Sequence, residues 1–186
     1  SEISDIKPVH HKLSYKRWYR PKRELFKGSF EDASVIFRSL FQTSVKEHLN
    51  ADVPLGTALS GGLDSSAIVC EVNRLLKSKN ATNQQLTFSS YSDIDKYSEK
   101  KWIDIVIAAT NVNPSFVTSK VEDVFTQTPR IIWHQDEPYQ SQSVLLAYNV
   151  FKLAASVGVK VLLNGQGADE YLGGYGQFTF SRYAEM

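Results

Sequence analysis

Two glycine-rich stretches hold the residues best suited to chemistry. The first is Leu59-Ser60-Gly61-Gly62-Leu63-Asp64-Ser65-Ser66, which follows a short apolar run and precedes a strongly apolar helical segment, Ala67 to Leu76. A strand that feeds a glycine-rich turn and then a helix makes an anion site. The first helical N–H groups lack intrahelical partners, and the helix dipole adds partial positive charge there. Adjacent glycines let a phosphate reach the backbone with no Cβ in the way, and the hydroxyls of Ser60, Ser65 and Ser66 can donate further hydrogen bonds. A carboxylate beside a phosphate is repulsive unless a cation lies between them, so Asp64 predicts Mg2+. The bland alternative is an ordinary strand-to-helix turn with a serine cap. A Walker A loop is excluded, since no lysine follows the second glycine at the required spacing.

The second stretch is Asn164-Gly165-Gln166-Gly167-Ala168-Asp169-Glu170-Tyr171-Leu172-Gly173-Gly174-Tyr175. Alone, its acids are explained as helix capping near a positive helix end, worth about 0.3–1 kcal/mol each. Beside the first loop, they read as part of one site. Between the two lies Trp133-His134-Gln135-Asp136-Glu137-Pro138, in which His134 reads as a packed or loop-anchoring histidine rather than a base.

The elements that must position these loops are legible from periodicity. Val35, Ile36, Leu40, Phe41, Val45 and Leu49 recur at helical spacing, giving an amphipathic helix from Glu31 to Leu49. Pro54 and Gly56 bound the first strand, and the glycine-rich turn then opens a helix that runs to about Ser78. Leu86–Tyr91 is a second strand, Glu99 to about Asn111 a helix, and Ser115–Thr118 a third strand behind Pro114. Ser119 and Glu122 fit the N-cap and N3 positions of a capping box. The helix they start runs towards Trp133, with Pro129 expected to kink or divide it. A helix from Ser143 to Ser156 closes at Gly158, and Val159–Leu163 is a buried strand. Strands that alternate with helices imply right-handed βαβ units: an α/β fold, a parallel twisted sheet with helices on both faces. Ligands bind such sheets at the carboxyl ends of the strands, so both loops should open on one rim.

Composition sets limits. At 186 residues, 42% hydrophobic and 22% charged, the chain suits a soluble globular domain. A net charge of +1 argues against a broad nucleic-acid surface. No apolar run reaches membrane-span length and no signal peptide is apparent, so a cytoplasmic protein without membrane contact is expected. Cys70, the only cysteine, reads as a buried structural thiol. Residues 1–29 stand apart, with eight Lys/Arg against three acids, and read as a basic linker or edge segment; His10 and His11 within it read as solvated. Its aromatic-basic cluster, Tyr15 to Pro21, reads as a packed connector rather than a nucleic-acid contact. Residues 30–186 form the main domain.

The two loops together resemble the synthetase domain of glutamine-hydrolysing asparagine synthetases, in the ATP pyrophosphatase (PP-loop) family. There S-G-G-L-D-S is followed about a hundred residues later by S-G-E-G-S-D-E and then G-G-Y. The resemblance extends over most of residues 30–180. It implies a Rossmann-like adenine nucleotide alpha-hydrolase fold and an ATP-dependent ligase requiring Mg2+. The backbone and hydroxyls of Ser60, Gly61, Gly62, Asp64, Ser65 and Ser66 would hold the phosphates that leave as pyrophosphate. Leu59, Ser90, Asn164 and Gly165 would border the adenosine or its α-phosphate. Asp64 would bind Mg2+, with Asp136 as the second carboxylate, while Gln166 and Asp169 would occupy the catalytic positions. A substrate carboxylate, aspartate in the family, would attack the α-phosphate to give an acyl-adenylate, and glutamine-derived ammonia would displace AMP.

This chain departs from the family where Gln166 replaces a glutamate and Asn164 a serine. A glutamine cannot act as a base, which opens the alternative of a ligase amidating or cyclising another carboxylate. A nucleotide-binding module without turnover is the third reading. The family's glutaminase domain, with its N-terminal cysteine nucleophile, would lie upstream, and a lysine-bearing region downstream. The chain is accordingly expected to be a fragment of a longer protein, inactive alone, and compatible with a homodimer.

Overall fold

The structure is a computed structural model that describes residues 14–20, 22, 24–79, 84–92, 96, 98–178 and 180. Much of the basic segment, His10 and His11 included, lies outside the described residues. The chain divides into two compact units, the first ending at Ile36 and the second starting at Phe37.

The first described helix, α1 (Phe30–His48), begins with a reciprocal cap. The Ser29 N–H donates to Asp32 Oδ2 at 3.0 Å, and the Asp32 N–H donates to Ser29 Oγ at 3.0 Å. In the second unit the elements run β1 (Leu55–Ala58), α2 (Leu63–Ser78), β2 (Gln85–Tyr91), α3 (Lys100–Ala109), β3 (Val112–Thr118), α4 (Val121–Gln135), α5 (Ser143–Ser156), β4 (Val161–Leu163) and α6 (Ala168–Leu172). The four strands form one sheet in the order β3-β2-β1-β4, and every pairing is parallel. The expected α/β class with a parallel sheet is thus present. Strand order reverses between β1 and β4, the position at which parallel sheets bind ligands.

Alternation along the strands builds a core on each face. Leu59 joins Val69 of α2, Ile103 and Val106 of α3 and Val112 in one buried cluster. Phe88 joins Val150 and Ala154 of α5 and Val159 in the other. Helices therefore cover both sides, and burial of a side chain such as Phe88 contributes about 1.5–3 kcal/mol.

Several element boundaries differ from the sequence expectation. Gly56 lies inside β1 rather than before it, paired with Leu162 of β4, and glycine is needed there because a Cβ would come within 2.6 Å of the Phe88 ring. Pro114 lies inside β3, which is tolerable because β3 is an edge strand. Val159 is not in β4; its N–H donates to Ala154 O at 3.1 Å, tying it to the end of α5. The cap of α4 is shifted by one residue: Lys120 is the N-cap, and its N–H donates to Asp123 Oδ2 at 2.8 Å. Pro129 does not divide α4, which continues to Gln135. Cys70 is exposed, not buried, because α2 turns Val69, Val72 and Asn73 inward instead. Among the described residues, no helix is long and apolar enough to cross a membrane.

Candidate active site

The first loop leaves the sheet at the end of β1, where the Leu59 N–H still donates to Phe88 O at 2.9 Å. Leu59 itself is 1% exposed and belongs to the core. Ser65 then turns back into the loop. Its hydroxyl accepts from the Ser60 N–H at 3.2 Å, shares a 2.9 Å hydrogen bond with Ser60 Oγ and donates to Gly62 O at 3.2 Å. Gly61 adopts φ +86°, and a Cβ there would meet Trp102 Cβ at 2.9 Å, so α3 backs the loop closely. These contacts hold the loop rigid before any ligand arrives.

Gly62 is the N-cap of α2, and no side chain caps that helix. The place where a Ser or Asp oxygen would normally accept is therefore left to an external acceptor. Ser66 N–H already donates to Gly62 O at 3.0 Å. The N–H groups of the preceding residues in the first turn remain directed out of the helix, as in other anion-binding helix starts.

The second loop meets the first at Gly165. A Cβ on Gly165 would lie 2.8 Å from Asp64 Cβ and 3.0 Å from Ser65 N. Only glycine permits that approach, which follows from the parallel pairing of Leu55 with Val161 and of Thr57 with Leu163. The loop is shaped by an Asx-type turn, in which the Gln166 N–H donates to Asn164 Oδ1 at 3.0 Å. Gly167, at φ +98°, then turns the chain into α6.

Both loops line a cavity of about 760 Å3, within the range of small-molecule sites. Ser60, Gly62, Asp64, Ser65, Asn164, Gly165, Gln166 and Asp169, all expected in the site, line it. Five other expected residues do not. Leu59 is buried beneath the loop, and Gly61 faces α3. Ser66 lies in the first turn of α2, with Ser90 in β2. The Ser90 hydroxyl is buried with no hydrogen-bond partner among the described residues. Asp136 is exposed at the C-cap of α4 in a left-handed conformation, φ 59°, outside the cavity wall.

The opposite wall comes from α4 and α5, which the sequence reading placed as helices without a site role. Ile131, Tyr148 and Phe151 supply apolar surface there. No motif marks them; α5 packs on β2 and β3, and α4 packs on α5. His134 also lines the cavity and is exposed, so it is not a packed histidine. Its ring lies edge-on to Trp133 at 4.9 Å and 6.3 Å from Tyr148.

The charges on this wall are Asp64 and Asp169, with no Lys or Arg among the described lining residues. A polyphosphate entering here needs a cation to offset those carboxylates. Asp64 and the serine hydroxyls are hard oxygen donors that suit Mg2+, which takes one or two carboxylates and fills its other positions from phosphate and water. No group of three or more His, Cys, Asp or Glu suited to a metal occurs among the described residues.

A second cavity, about 600 Å3, lies on the other side of the loop contact. Its walls are mainly apolar, from Phe37, Phe41, Leu63, Ile68 and Leu172, yet it shares Asp64, Asn164, Gly165 and Gln166 with the first.

Residues 36–185 match the sequence model of the asparagine synthase family. The glutamine-hydrolysing asparagine synthetase 1 of Bacillus subtilis is 33% identical over 138 residues, which cover 74% of this chain and 21% of that protein. A glutamine-hydrolysing asparagine synthetase of Asparagus officinalis is 30% identical over 169 residues, covering 87% of this chain and 28% of the relative. A putative glutamine-hydrolysing asparagine synthetase 2 of Methanocaldococcus jannaschii is 29% identical over 174 residues, covering 94% and 29%. The chain thus spans about a fifth to three tenths of the length of these relatives.

Proposed function

The chain belongs to the asparagine synthase family, and from that premise we propose that residues 30–186 are the ATP-cleaving synthetase domain of an amide-forming ligase. Residues 1–29 connect it to the rest of the protein. The observation that carries the reading is the close approach of Gly165 to Asp64 and Ser65, which joins both loops in one cavity wall. A phosphate at the uncapped start of α2 then lies beside Asn164–Gln166, so the α-phosphate and the acyl substrate have a common place to meet.

In this reading Ser60 and the free N–H groups at the start of α2 hold the departing phosphates, and the ring of apolar residues from α4 and α5 excludes water. Asp64 would hold Mg2+, while Asp136, expected as the second carboxylate, lies outside the cavity wall and is given no part. Mg2+, when bound with ATP, offsets the negative charge that builds on the leaving pyrophosphate. The substrate's carboxylate oxygen attacks the α-phosphorus, and the bond from that phosphorus to the bridging oxygen breaks. Ammonia, supplied by a glutaminase domain, then attacks the acyl carbon and AMP leaves. The protein contributes position and charge rather than a covalent group.

The test is product analysis on the intact protein with ATP, Mg2+, aspartate and glutamine. AMP and pyrophosphate are the expected products; ADP and phosphate would rule the reading out. Gln166 supports a second reading, in which the acceptor is a different carboxylate. It is not ionisable, and it lines both cavities. Pyrophosphate release across a panel of carboxylates decides between the two, aspartate being the best substrate in the first and a poor one in the second.

A further inference from the structure

The Gly173-Gly174-Tyr175 turn has no part in the reaction as set out above, yet it packs directly on Asp169, which lines the candidate site, and on the neighbouring Glu170. The short helix α6 ends at Gly173, whose left-handed conformation (φ 72°) reverses the chain. The N–H groups of Gly173 and Gly174 both donate to Asp169 O. The reversal lays Gly174 against the Asp169 side chain. A Cβ on Gly174 would overlap Asp169 Oδ1 and lie 2.6 Å from Cγ. One residue further on, the Tyr175 hydroxyl donates to Glu170 Oε1 at 3.2 Å. Its phenol is held above its ordinary value, first by the Glu170 charge and then by burial, with the hydrogen bond and Asp169 adding to the effect.

We propose that Gly174 and Tyr175 are positioning residues, which fix the Asp169 and Glu170 carboxylates so that Asp169 keeps its place in the cavity wall. The inference rests on the reading of that cavity as the ATP and acyl-substrate site. The space at Gly174 is taken by a side-chain carboxylate rather than by backbone. An added methyl is therefore relieved mainly by swinging the Asp169 carboxylate away, with a shift of a few tenths of an ångström from Asp169 Cβ, which it would meet at 3.0 Å. Tyr175 restrains the neighbouring Glu170 carboxylate through its hydroxyl. A displacement of about 1 Å in a group that positions a reactant can lower turnover by about a hundred-fold.

The experiment uses the intact protein carrying Gly174→Ala, Tyr175→Phe, Asp169→Ala and the Gly174→Ala/Asp169→Ala pair. Pyrophosphate release gives kcat and KM, and thermal unfolding gives stability. Gly174→Ala is expected to lower kcat about ten-fold or more while leaving the KM for ATP and the unfolding midpoint close to wild type. Tyr175→Phe is expected to lower kcat less, in the same direction. In the Asp169→Ala background Gly174→Ala should add nothing, because the atoms it displaces are gone. Multiplying effects in the double variant, or wild-type kcat in both Gly174→Ala and Tyr175→Phe, would overturn the proposal. A crystal structure of Gly174→Ala reads the geometry without turnover: an Asp169 carboxylate moved from its place supports it, and an unmoved one refutes it. Failure of the underlying reading is distinguishable, since the wild type would then release no pyrophosphate whatever the position of Asp169.

Discussion

At the scale of single residues, the site depends on what is missing from three side chains. Gly62 offers no cap, Gly61 tolerates φ +86°, and Gly165 leaves room for Asp64 and Ser65. The last has a measurable consequence. Gly165→Ala places a methyl against Asp64 Cβ and the Ser65 backbone, neither of which is a flexible end. Overpacking of this kind costs about 1–3 kcal/mol, and here it separates the loops. Calorimetry should show ATP affinity falling about ten-fold or more, with a lower unfolding midpoint in the absence of ligand. Ser65→Ala should behave differently. It removes the hydroxyl of a residue only 6% exposed, one that braces the loop from inside. At about 1 kcal/mol for each net hydrogen bond, the expected result is a modest loss of stability and a several-fold loss of ATP affinity, which Ser65→Thr partly restores. The glycines and serines of both loops could be read from the sequence because their chemistry is local. The internal bracing role of Ser65 could not, since it needs the fold of the turn. The apolar wall from Ile131, Tyr148 and Phe151 had no local signal at all.

At the scale of elements, α2 is the support on which the first loop rests. Glu71, buried on its inner side, accepts from Arg74 Nε at 2.8 Å and from Arg74 Nη2 at 2.5 Å. Hydrogen bonding to Arg74 holds the Glu71 carboxyl below its ordinary value of 4.5, outweighing burial, with the Arg74 charge acting in the same direction. A carboxyl depressed in the folded state stabilises it above the unfolded value and loses that effect as pH falls through the folded value. The wild type should therefore exceed Glu71→Gln in unfolding midpoint at neutral pH. The gap should close as pH drops below about 4.5, as thermal scans across a pH series would show. Element type was legible in the sequence wherever apolar periodicity was strong, as in α2, α3 and α5. Boundaries were lost where tertiary contacts override local preference. Pro114 sits in a strand because that strand is an edge, and Gly56 does so where Phe88 fills the space a side chain would need. Cys70 was misplaced because apolar residues nearly encircle the start of α2, so periodicity alone does not say which side faces out.

At the scale of the whole molecule, the four parallel strands carry both loops to one rim, with the charge of Asp64 and Asp169 facing an expected anion. Binding of ATP should then depend on a divalent cation. Titration calorimetry with Mg2+ should give a measurable affinity, and excess chelator should weaken it by about ten-fold or more. Equal affinity in both conditions would place the compensating positive charge on the protein. The fold class and the meeting of the loops could be read from alternating strands and helices. The second cavity could not, because it arises from apolar side chains spread over α1, α2, β4 and α6.

That shared partition of Asp64, Asn164, Gly165 and Gln166 makes the two cavities thermodynamic neighbours. Anything seated in the second cavity would press on the same four residues that line the first. Linkage requires the effect to be mutual: an occupant that tightens ATP binding by a given factor is itself bound more tightly by that factor when ATP is present.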